Sequence, residues 1–101
     1  MAPKPVGFAP QAERDLEDIA DHIAADNPER ALSFVRELRE RCEKAGDLPR
    51  SARRFPKLGD DAHIRPFGNY LILYRDLPTE ISIERIIHGV RDIMALIAPG
   101  D

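Results

Sequence analysis

The spacing of apolar residues changes once along this chain, and that change sets what it can fold into. Up to residue 47 apolar side chains recur at intervals of three and four, the repeat of one helical face; beyond residue 60 they alternate or run together, as they do in strands. Ala12, Leu16, Ile19, Ala20, Ile23 and Ala24 make the first stripe, opposite an acidic face of Glu13, Glu17, Asp18 and Asp21. Ala31, Val35, Leu38, Cys42 and Ala45 make the second, widened by Phe34. Pro10 and Pro28 open the two helices at a position where a missing N–H is harmless, and Asn27 supplies a side-chain cap. The short link Ala25-Asp26-Asn27 makes the helices antiparallel neighbours.

Ahead of them, Val6-Gly7-Phe8 reads as a first strand. After Gly46-Asp47-Leu48-Pro49 ends the hairpin, a loop runs to Gly59-Asp60-Asp61. Strands follow at Ala62 to Arg65, Tyr70 to Arg75 and Ile81 to His88, with Pro66-Phe67-Gly68-Asn69 and Asp76-Leu77-Pro78-Thr79 as turns. The middle strand is apolar on both faces, which predicts a central position covered on both sides. Alternation slips near Arg85-Ile86, the signature of a bulge. Asp92 would cap a short tail helix from Ile93 to Ile97. The expected fold is α+β: an N-terminal strand and an antiparallel two-helix hairpin packed on a small, mainly antiparallel sheet, with a short C-terminal helix. The 101 residues suffice for one domain over 1–101, its core at about 6–97.

A net charge of -3 argues against a protein that coats nucleic acid. The first 47 residues hold 11 acids against 7 bases, so positive charge is concentrated later, with Arg50, Arg53, Arg54 and Lys57 close together in the loop. Such a run is ordinarily a solvated segment; its alternative is a basic lip beside a binding surface. Cys42 is the one cysteine, so no intrachain disulfide forms, and its place in a helical stripe predicts a buried thiol. No apolar run follows the N-terminus, so neither a signal peptide nor a membrane span is expected, which suits the cytoplasm.

No glycine-rich phosphate loop, Cys/His zinc pattern or nucleophile elbow is present, so neither metal nor cofactor is expected. His22, beside Asp18 on a polar helix face, reads as a surface residue. The cluster His88-Gly89-Val90-Arg91-Asp92 ends the last strand. A histidine there can act as a general acid while arginines stabilise a phosphate, which would cut RNA without a metal; equally, Arg91 and Asp92 can pair while His88 meets a backbone carbonyl. Arg65, Arg75 and Arg85 fall in or beside strands, where they converge into an anion site or simply border solvent.

Four segments in order resemble the ParE branch of the ParE/RelE toxin superfamily. They are Phe8-x-Pro10-x-Ala12-x-x-Asp15-Leu16-x-x-Ile19, Ala31-x-x-Phe34-x-x-x-Leu38-x-x-x-Cys42, Arg65-x-x-x-x-Tyr70-x-Ile72-x-Tyr74-Arg75, and Ile83-x-Arg85-Ile86-x-His88-Gly89-x-Arg91-Asp92. The resemblance implies a bacterial toxin of a type II toxin-antitoxin module of the plasmid-stabilisation kind. Such a toxin inhibits DNA gyrase and is neutralised by a ParD-like, ribbon-helix-helix antitoxin in a hetero-oligomer. The RelE branch instead cuts mRNA in the ribosomal A site, and fold alone does not choose between them. The nuclease branch keeps lysines or a glutamate on the strand Ala62 to Arg65 and an arginine just after the tyrosine matching Tyr70; here His63, Ile64 and Leu71 stand there. No evident catalytic tyrosine follows the last strand. Arg91 matches an arginine of the RelE-type site, and His88 lies where some nuclease relatives keep a histidine acid. A nuclease would therefore use Arg65, His88 and Arg91, whereas a binding toxin would meet its target through Arg65, Tyr70, Arg85 and Arg91. The antitoxin would lie along the hairpin at Ile23, Leu32, Phe34 and Val35.

Overall fold

The computed structural model describes residues 3–47 and 52–89. Strand β1 (Val6–Phe8) leads into helices α1 (Pro10–Ala24) and α2 (Pro28–Glu43), followed by β2 (Arg53–Arg54), β3 (Ala62–Phe67), β4 (Tyr70–Asp76) and β5 (Ile81–His88). The sheet order is β1-β5-β4-β3-β2, which puts β4 at its centre. β1 runs parallel to β5 and the remaining neighbours are antiparallel. The two helices and a mainly antiparallel sheet are the expected α+β fold; the tail helix expected at Ile93 to Ile97 lies outside the described residues.

Both helices start as their sequences require. Pro10 and Pro28 occupy first-turn positions, and the Asn27 side chain accepts the Arg30 N–H at 3.1 Å. Ala12, Leu16 and Ile19 of α1 and Leu38 and Cys42 of α2 close over Ile72 and Tyr74 of β4 and Ile81, Ile83 and Ile86 of β5. Leu73, on the opposite face of β4, is also buried, so the central strand is covered on both sides as its sequence predicts. Arg39 ties the helices together, donating to both carboxylate oxygens of Glu13 at 3.1 and 2.8 Å while its guanidinium lies over the Phe8 ring.

Three local features depart from the sequence reading. The basic loop contains a two-residue strand, β2, with Arg53 opposite Ile64 and Arg54 opposite His63. β3 continues through Pro66 to Phe67 and so is longer than expected. Among the described residues nothing pairs with Pro66 on the β2 side, so there its missing N–H breaks no ladder bond. The turn shrinks to Gly68-Asn69, with Gly68 at φ 58°, as a tight hairpin demands at its first central position. The bulge is real and lies one residue earlier than the slip in alternation: Leu73 faces Arg85 and Tyr74 faces Ile83, leaving Glu84 without a partner. This extra residue returns Ile86 to the core beside Ile81 and Ile83.

At the start of the chain, Lys4 bonds the Gly46 carbonyl through its N–H and reaches Asp76 and the Leu77 carbonyl through its ammonium. A Cβ on Gly46 would lie 2.2 Å from the Lys4 carbonyl oxygen, so only glycine permits this approach.

Candidate functional site

Beyond Ile83, β5 has no β1 beside it, and α1 takes over its edge. The Ala9 N–H still donates to the Ile83 carbonyl, and six residues further on the Asp15 carboxylate accepts the Ile86 N–H at 2.8 Å. The same carboxylate accepts from Arg85 Nε at 2.9 Å and from Gln11 Nε2 at 3.1 Å. Asp15 is 7% exposed, so its charge is affordable only because these donors surround it. It stands within the apolar stripe between Ala12 and Ile19, and an acid at such a position is the signal that could have revealed a buried partner.

This latch shapes a concavity of about 440 Å³ between α1 and the end of β5. Its walls include Asp15, Asp18, Ile19, His22, Tyr70, Arg85, Ile87 and His88. Tyr70 meets His88 edge to face at 5.0 Å, and behind it Phe34 packs against Tyr70 and Phe67 at 5.7 and 5.4 Å. Burial raises the Tyr70 hydroxyl above its ordinary value. His88 is exposed. Among the described residues no group of three or more His, Cys, Asp or Glu is placed to hold a metal ion.

Of the residues singled out in the sequence, Tyr70, Arg85 and His88 therefore come together. Arg85 is already engaged by Asp15, which offsets its charge. Arg65 stands apart, opposite Ile72 and next to Tyr74. Burial pushes the Tyr74 hydroxyl up, and the charge and hydrogen bond of Arg65 pull against it. Arg91 lies outside the described residues. His22, read as a surface residue, is exposed and borders the same concavity.

The hairpin residues Ile23, Phe34 and Val35 are half-buried against the core, while Leu32 is 71% exposed. Arg30 lies over Phe34 and Arg41 over Phe67, each a little over 5 Å from the ring centroid, so this flank is aromatic beneath and cationic above. Arg53, Arg54 and Lys57 are exposed, Arg54 beside the Asp60 carbonyl, and Arg50 lies outside the described residues. Cys42 is buried, and desolvation pushes its thiol up to about 12.

Solved structures share this architecture. The chromosomal ParDE toxin-antitoxin system from P. aeruginosa contains a chain superposing with a TM-score of 0.73 at 21% identity, over 85% of this chain and 96% of that one. A chain of the toxin-antitoxin complex RelBE2 from Mycobacterium tuberculosis superposes with a TM-score of 0.67 at 24% identity, over 87% and 93%. No curated protein matches. At the level of sequence families, residues 6–93 match the ParE toxin of type II toxin-antitoxin system, parDE. Spanning both described helices and every described strand, that match establishes that the chain belongs to the ParE toxin family.

Proposed function

We propose that this ParE-family toxin inhibits DNA gyrase by binding and is held inactive by a ParD-like, ribbon-helix-helix antitoxin in the cytoplasm. The observation that carries this reading is the side-chain set where the nuclease branch keeps its phosphate-handling residues. His63 is buried and stacked on Tyr74, and Ile64 and Leu71 are half-buried apolar residues. Cutting a phosphodiester without a metal needs cationic donors aimed at the developing charge, and these positions offer none. Arg65, Tyr70, Arg85 and Arg91 are the residues assigned to the target. Ile23, Leu32, Phe34 and Val35 are those assigned to the antitoxin, in keeping with the toxin-antitoxin complexes that share the fold.

Purified toxin should block supercoiling by gyrase, and adding the antitoxin should restore it. Intact supercoiling together with A-site cuts in mRNA on translating ribosomes would overturn the reading in favour of the nuclease. In that case His88→Ala and Arg91→Ala should lower cutting by about 10²–10⁴.

A further inference from the structure

A second concavity, of about 520 Å³, opens beside the first turn of α1, away from the Tyr70-His88 contact. We propose that it binds a phosphate group. Arg14, Arg75 and Arg85, from three different elements, line it together with Ala9, Pro10, Gln11, Leu58, Leu73 and Glu84. The sheet register brings the two strand arginines together: Arg85 faces Leu73 across the β4–β5 pair, and Arg75 follows two residues on, on the same face.

Two of the guanidiniums are fixed from behind. Asp61 accepts from Arg75 Nη1 at 2.7 Å, and Asp15 accepts from Arg85 Nε and Nη2 at 2.9 and 3.3 Å. A guanidinium carries five N–H donors, so each keeps donors for a ligand while its orientation is already set. Arg14 has no ion pair or hydrogen bond among the described residues. The one acid on the wall, Glu84, is occupied by the Ser82 hydroxyl and lies 3.6 Å from Arg75 Nε. Asp15, Asp61 and Glu84 offset the charge of Arg75 and Arg85, so Arg14 is the cation on this wall that no described acid pairs, and the two held guanidiniums contribute orientation, since planar guanidiniums match phosphate oxygens in pairs. Ala9 offers the first turn of α1 no side-chain cap, so its N–H groups add to the same field. The site shares Arg85 with the residues assigned to the target, while Arg14 and Arg75 lie outside that set.

The test is a titration of the full chain followed by the arginine Nε–H signals in NMR, with inorganic phosphate against chloride at equal ionic strength. Phosphate should shift the Arg14, Arg75 and Arg85 signals saturably, and chloride should not. Arg14→Ala should weaken binding roughly tenfold, as befits loss of a charge-assisted bond, whereas Arg36→Ala, an exposed arginine on α2, should leave it unchanged. A short oligothymidylate distinguishes the sources: tighter binding per phosphate than the free ion assigns the site to a nucleic-acid backbone, and weaker binding assigns it to a small phosphate. Absence of a saturable response, or equal loss in both variants, overturns the proposal.

Discussion

Asp15 and Cys42 show how single side chains govern this fold. Asp15 gathers donors from α1 and β5, so its removal leaves the Ile86 N–H without a partner and Arg85 without its counter-charge. Asp15→Ala should lower unfolding free energy by about 2–4 kcal/mol, read from urea denaturation. Cys42 is inert for the converse reason, because burial outweighs the pull of the neighbouring Arg39 charge on its thiol. With a thiol pKa raised to about 12 from an ordinary 9.0, its neutral form is favoured by folding. That contribution is complete below pH 9 and is lost as pH rises toward 12, so the urea midpoint should fall over this window, and less steeply in Cys42→Ala. A thiol reagent at pH 8 should label Cys42 only once the chain unfolds. The buried thiol was legible in the sequence, because a stripe position predicts burial. The burial of Asp15 left a local signal, an acid within an apolar stripe, but the identity of its partner did not, since a contact spanning 70 positions leaves no local pattern.

Among the elements, β5 depends most on one residue. The strand must place Ile81, Ile83 and Ile86 on the same face, and strict alternation would send Ile86 outward. Glu84 supplies the missing step. Deleting Glu84 should therefore turn β5 into a regular strand that still points Ile86 inward and Arg85 outward, and the chain should keep a cooperative thermal transition by circular dichroism, whereas deleting Arg85 as well should send Ile86 outward and abolish that transition. The slip in alternation revealed this bulge to within one residue because burial writes itself into period. β2 could not be read in the same way: two exposed arginines have no period, and only the neighbouring strand makes them a strand. Likewise, Pro66 argued for a turn on local chemistry, yet it extends β3, where no described residue of β2 calls for its missing N–H.

For the molecule as a whole, the question is which surface is free to meet a partner. Leu32 makes little contact within the fold, unlike Phe34 and Val35 beside it. Leu32→Glu should change unfolding free energy by no more than about 0.5 kcal/mol, and on the proposed reading it should weaken antitoxin binding at least tenfold by calorimetry. Unchanged affinity would move the antitoxin contact away from this flank. The helical hairpin and the three-strand meander were legible because each is built from neighbours in sequence. The parallel pairing of β1 with β5 was not, because it joins residues separated by most of the chain.

That pairing also bears on how the protein comes into being. A ribosome releases β1 and the hairpin first, yet β5, which covers their apolar side, is the last described strand to be made. Until then Leu16, Ile19 and Leu38 lack the isoleucines they pack against, and closure requires contacts of long sequence separation. A nascent chain that stops before Ile81 thus lacks both the strand that joins β1 to β4 and the Tyr70-His88 contact. The apolar face of the hairpin is therefore covered only once β5 has been made.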